Sequence, residues 1–185
     1  MNAYLKGGNA ALTEYDDQKY PLRLVDEFED LLKESPYLFV YAPNFHSYLR
    51  EFPRYKLPNE EDQFFWLKED IGTKRRITSI LHISVYRPHQ DALFDLLVSS
   101  KQIYASHYFE AAFGLTALAN DPEDGGTGFY LLYMNRSRID ALRHPRFGGL
   151  IRRKIRKGLN DLLKKKLLTV KNNIEGKYRT GFREK

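Results

Sequence analysis

Residues 101–118 read KQIYASHYFEAAFGLTAL, and whether they form a helix or a strand decides the fold. As a helix, the stretch presents an apolar face broken by Ser106, Glu110 and Thr116, and its Ala-rich second half has good helix propensity. As a strand, it puts Ile103, Ala105, His107, Phe109, Ala111, Phe113 and Leu115 on one face. Tyr104, Ser106, Tyr108, Glu110 and Ala112 fall on the other. Both readings are tolerable. The aromatic density of the first half tips the balance towards β. So does Gly114, which weakens a helix centre but suits a bend or bulge in a long strand.

Working outward, residues 129–139, FYLLYMNRSRI, read as another strand, apolar on both faces and therefore expected to be central. NDPEDGGTG before it is a turn segment. Upstream, FFWLKED and RRITSILHISVY flank IGTK as an antiparallel hairpin. In its second strand Thr78, Ile80, His82, Ser84 and Tyr86 share a face. PYLFVYAP, between two prolines, reads as a short strand, and FHSYLREF as a short helix capped by Asn44. Leu24, Val25, Phe28, Leu31 and Leu32 repeat at helical steps. The longest helix runs from Gly149 to about Asn173, with a stripe that includes Ile151, Ile155, Leu159, Leu162 and Leu163. These readings divide the chain into a loose lead-in over 1–20, a single α+β domain over 21–175 and a flexible basic tail over 176–185. The fold expected is a curved antiparallel sheet packed on a long C-terminal amphipathic helix.

The chain has 185 residues and no cysteine, which removes disulfides, thiolate metal sites and a cysteine nucleophile. Its net charge of +6 is unevenly spread. Residues 143–185 hold fifteen Lys/Arg against three Asp/Glu, while the rest of the chain is net acidic. Arg152, Arg153, Arg156, Lys157, Lys164 and Lys165 are candidates for contact with an anionic membrane surface. The competing reading is a basic helix packed against the acidic remainder of the chain. Most aromatic residues lie in 37–133 and the dense basic run in 143–185, and this separation argues against nucleic acid. No signal peptide is evident in the sequence.

In element order the chain resembles the START and Bet v 1-like helix-grip proteins, and FYLLYMNRSRI…GGLIRRKIRKGLNDLLKKKL is similar to their last strand and lid helix. The resemblance implies an apolar cavity between sheet and helix that holds a lipid or another hydrophobic molecule. In wording, GGNAALTEY, SKQIYASHYFEAAFGLTAL and YLLYMNRSRIDALR resemble an uncharacterised, generally exported bacterial family. That resemblance implies an exported or periplasmic protein of which this chain is the C-terminal portion.

No phosphate loop, dinucleotide fingerprint, zincin motif or nucleophile elbow occurs. The histidines at 46, 82, 89, 107 and 144 lack ligand spacing, so neither a metal nor a cofactor is expected. The polar candidates are strand residues: His82, Ser84, Tyr104, His107, Tyr108, Glu110, Tyr133, Asn135 and Arg136. In a concave sheet they would orient a ligand in an apolar pocket. The plainer alternative pairs them across strands, with Glu110 meeting Arg136 or a lysine. The function expected is non-catalytic binding of a hydrophobic small molecule or lipid. The alternatives are a cyclase/hydratase-like enzyme using His107, Tyr108 or Glu110, and an interaction domain with a filled core.

Overall fold

In the computed structural model the described residues are 1–12, 14–15, 22–69, 76–89, 93–106, 109–121, 128–139 and 148–181. The chain divides into two compact units, Met1–Asp140 and Ala141–Lys185, where the sequence reading drew one domain over 21–175. It is α+β, with a five-stranded antiparallel sheet and a C-terminal helix.

The first unit begins with α1 (Asn2–Gly7) and a 3-10 turn (Gly8–Ala11), not a loose lead-in. Tyr4 anchors α1 in the core at 3% exposure. Gly8 is required here. Its φ is +59°, and a Cβ would lie 1.7 Å from the carbonyl oxygen of Phe52. A two-residue ladder joins β1 (Glu14–Tyr15) to β2 (Leu22–Arg23). Three helices follow: α2 (Leu24–Lys33), α3 (Pro36–Tyr41) and α4 (Pro43–Glu51). The expected strand at PYLFVY is therefore a helix. Pro36 and Pro43 each occupy a first turn, where the missing N–H has no intrahelical partner to lose. The prolines read as strand boundaries are helix starts.

The sheet consists of β3 (Glu60–Glu69), β4 (Ile77–Tyr86), β5 (Leu96–Ala105), β6 (Phe109–Asn120) and β7 (Phe129–Ile139), in that spatial order. The β reading of 101–118 holds, but the stretch is two strands and not one. β5 ends at Ala105 and β6 starts at Phe109, so Lys101 pairs with Phe113. Gly114 lies within β6 opposite Ser100. Irregularities occur instead between Ile80 and Leu81 and between Phe109 and Ala111. The register also corrects β7, which is an edge strand and not a central one.

Antiparallel partners point to the same side of a sheet, so the register separates its two faces. The inner face carries His82, Ser84 and Tyr86, with Leu97, Ser99, Lys101, Phe113 and Leu115 beside them. The N-terminal helices cover it. Phe28 of α2 meets Phe113 edge to face at 5.9 Å, and Phe45 of α4 stacks on Tyr86 at 5.7 Å. The outer face carries Leu81, Ile83 and Val85, which remain half-buried.

The second unit contains α5 (Gly148–Gly181), longer than the 149–173 expected. Leu167, Leu168 and Val170 on it are exposed. Among the described residues no helix is long and apolar enough to cross a membrane.

Candidate functional site

The inner face holds a polar network in an aromatic core. His82 is 2% exposed and its ring lies between Phe52, at 4.5 Å, and Phe64, at 4.6 Å. Its Nε2 is 2.9 Å from Asp62 Oδ1 on β3, and its Nδ1 is 2.9 Å from the Tyr4 hydroxyl on α1. Ser84 Oγ lies 3.1 Å from the same Nε2. Tyr48 of α4 donates to Asp62 and lies 3.2 Å from Ser84 Oγ. The network therefore ties α1, α4, β3 and β4 together. Burial pushes the Asp62 carboxyl up, but hydrogen bonds from His82 and Tyr48 outweigh it and leave the carboxyl below its ordinary value. Burial, reinforced by the Asp62 charge, raises the Tyr4 hydroxyl far above its ordinary value.

Lys101 is the other unusual group. It is 1% exposed on β5. Its Nζ donates to Asn9 Oδ1 and lies 3.9 Å from the centre of the Phe28 ring. Asn9 in turn donates to the carbonyls of Leu49 and Arg50. Burial holds the Lys101 amine well below the usual lysine range. A ring face and one amide oxygen recover only part of the hydration that a buried ammonium loses. Chemically the inner face is a set of pins. A general base must reach the proton it takes, and Tyr4, His82 and Lys101 are enclosed by the side chains they hold in place.

The outer face is different. One row across the sheet runs Gln63, Ile83, Ser100, Gly114 and Asn135. The rows beside it run Glu61, Val85, Val98, Thr116 and Tyr133, and Phe65, Leu81 and Gln102. Ser100 and Gly114 have little or no side chain, so the middle row is low between rows carrying Val85, Val98 and Tyr133 on one side and Phe65 and Leu81 on the other. At the β7 end Asn135 Nδ2 reaches the Tyr133 hydroxyl at 3.5 Å, and Ser137 Oγ donates to Asn135 Oδ1 at 2.8 Å. Gln102 is 4% exposed, and its Nε2 has no partner among the described residues.

The candidates named from sequence thus separate. His82 and Ser84 come together, but in the filled inner layer. Tyr133 and Asn135 come together on the outer face. Arg136 lies on the inner side, 3.8 Å from Glu34. Tyr104 is exposed beyond the irregularity in β5. Glu110 is buried beside the irregularity in β6. His107 and Tyr108 lie outside the described residues, as do the side chains of Arg152, Arg156 and Lys157. Arg153, Lys164 and Lys165 are exposed. The sequence reading missed Tyr4, Asn9, Asp62 and Lys101. For Lys101 a signal existed: alternation in LLVSSKQI places it on the side of Leu97 and Ser99. Among the described residues no group of three or more His, Asp or Glu could hold a metal ion. Comparison with known proteins finds no family model, no curated protein and no solved structure that matches the chain.

Proposed function

We propose that the protein is a non-catalytic binder of a hydrophobic small molecule or lipid, and that the molecule lies along the low row of the outer sheet face. The observation that carries this reading is the row itself. Ser100 and Gly114, with little or no side chain, form a low floor beside Ile83, flanked by Phe65, Leu81, Val85, Val98 and Tyr133. Apolar walls with a few placed polar groups are the usual composition of a ligand site. The exposed Tyr133–Asn135 pair at the β7 end supplies those groups.

The helix-grip arrangement, in which an amphipathic terminal helix closes a cavity, is the form of this reading that element order suggests. In it the basic residues of α5, Arg153, Lys164 and Lys165 among them, guide docking to an anionic membrane surface. Membership of an exported bacterial family is the matching proposal for origin. A second reading, an interaction domain with a filled core, is favoured by the complete burial of Phe45, Tyr48 and Phe113 on the inner face.

Native mass spectrometry of the purified chain, followed by denaturing extraction and lipid analysis, tests the proposal. A co-purifying apolar molecule at near-stoichiometric amount is the expected result. A bare chain that also fails to take up fluorescent fatty acid or sterol probes overturns it.

A further inference from the structure

α5 does not carry one continuous apolar stripe. By helical spacing, Ile151, Ile155 and Leu162 fall along one line, and Leu163, Leu167, Val170 and Ile174 along a second, roughly a third of a turn away. On the second line Leu167 and Val170 are 38% and 42% exposed, and Leu163 and Ile174 are half-buried. Lysines border it on both sides, with Lys166 on one flank and Lys164 and Lys171 on the other. Asp161, Leu168 and Asn172 stand at the back of the helix. Lys164, Lys165 and Lys166 are exposed and make no ion pair among the described residues. Lys171 meets Glu175 at 3.7 Å, an exposed contact of the kind that contributes little.

We propose, resting on the membrane docking stated above and deepening it, that this second line is a membrane-surface face. Residues 163–174 of α5 lie along an anionic bilayer, with Leu163, Leu167, Val170 and Ile174 buried at the boundary between headgroups and acyl chains. Charge selects this occupant. Apolar residues spaced four, three and four apart are also what a two-helix seam uses. A parallel pair of copies, however, sets Lys166 of one against Lys171 of the other, and like charges beside the seam oppose assembly. An anionic partner suits both flanks. A partner helix would read only the residues beside the line, whereas the basic residues here continue past it. RRKIRK at 152–157 precedes the line, and Lys165 stands behind it. A charged bilayer draws on all of them. Its potential decays over roughly 8–10 Å at physiological ionic strength, close to the diameter of a helix, so basic residues on every side contribute. At the boundary, lysine stems cover apolar surface while the ammonium stays at headgroup level. Lys164, Lys166 and Lys171 stand where such stems are needed, and Asp161 falls on the side turned away.

The full chain is floated with vesicles of phosphatidylcholine alone and of phosphatidylcholine with phosphatidylserine. Binding is expected to the anionic vesicles, and it should fall steeply with added salt. Leu167→Gln is expected to weaken it about tenfold, the effect of withholding one buried leucine. Leu168 is 50% exposed but off the line, so Leu168→Gln makes the same change of composition and should leave binding unchanged. Both positions are exposed, so neither variant threatens folding. The absence of cysteine allows one polarity-sensitive dye to be placed at Leu167→Cys or at Asn172→Cys. On anionic vesicles the dye at 167 is expected to shift to the blue and the dye at 172 to keep its emission in water. Binding as strong to the neutral vesicles, an equal loss from the two leucine variants, or equal shifts of the two dyes overturns the membrane face. So does a chain that fails to bind anionic vesicles, which leaves an acidic protein helix as the partner. Fatty-acid uptake is read separately, without vesicles. A chain that floats and takes up no probe loses the ligand on the outer sheet face and keeps the membrane face.

Discussion

The two faces of the sheet are built from the same strands and put to opposite uses. On the inner face, polar side chains are buried and aromatic rings fill the space between them: His82, Ser84 and Lys101 lie under Tyr4, Phe28, Phe45 and Tyr48. On the outer face, apolar side chains remain half-exposed, with Ser100 and Gly114 keeping the centre low. An amphipathic rule applied to β4 gives the reverse, since Leu81, Ile83 and Val85 look like the core side and His82 and Ser84 like the water side. Polar side chains can take the buried side of a strand when hydrogen-bond partners offset their desolvation. Here Asp62, Tyr4 and Tyr48 pair them, and the N-terminal helices bring those partners.

The contrast predicts that inner-face substitutions act on stability and outer-face ones on binding. The largest effect is expected from Phe113→Ala, which removes a fully buried ring packed on Phe28. It should cost about 3–5 kcal/mol, read as a lowered midpoint in urea unfolding. His82→Ala comes next. It strands the Tyr4 hydroxyl and one bond of Asp62, at about 1–3 kcal/mol for a buried group left unpaired. A loss no larger than that of an exposed substitution would mean that α1 is not pinned to the sheet through His82.

Two pH windows follow from the same network. Asp62 is held below its ordinary value, so the stability it adds is present above the unfolded carboxylate range and is lost as pH falls through its folded value. Lys101 is a base held low. The unfolded chain binds its proton more readily, so stability rises with pH from the folded value of Lys101 up to about 10.4. Urea midpoints measured from neutral to pH 10 should climb for the natural chain. They should climb less for Lys101→Met, whatever that substitution does at pH 7. Equal slopes would contradict the burial of a titrating amine.

The fold was legible where one pattern dominated. The β3–β4 hairpin, α2 and the limits of β7 follow from alternation, helical spacing and the prolines and glycines around them. Three features were not legible, for separate reasons. PYLFVY is apolar with a proline at each end, and that suits a strand as well as a helix whose first turn holds the proline; packing decided for the helix. Residues 101–118 carry no proline, and the sequence between the end of β5 at Ala105 and the start of β6 at Phe109 gives no turn signal. The pairing of Tyr4 with His82 spans 78 residues, and no local periodicity reaches so far. Of the candidate site, Tyr133 and Asn135 were legible as strand neighbours on one face. The low row was not, because it exists only across strands, in a register that brings Ser100, Gly114 and Asn135 side by side.

The smallest structural effect is expected at Gly114, which has an unremarkable backbone conformation. A Cβ there would lie 3.5 Å from that of Ser100 and 3.7 Å from Asn135 Nδ2, both ordinary contacts. Gly114→Val would therefore raise the floor of the outer row without forcing the strand, and Val suits a strand better than Gly does. The most direct measurement is a titration of a fluorescent fatty acid into the natural chain, Gly114→Val and Phe113→Leu, with the unfolding midpoint of each recorded alongside. The expected result is that Gly114→Val loses probe uptake at an unchanged midpoint, whereas Phe113→Leu lowers the midpoint and binds the probe as before. Uptake that survives Gly114→Val and fails in the folded Phe113→Leu would place the ligand on the inner face and contradict the division between the two faces.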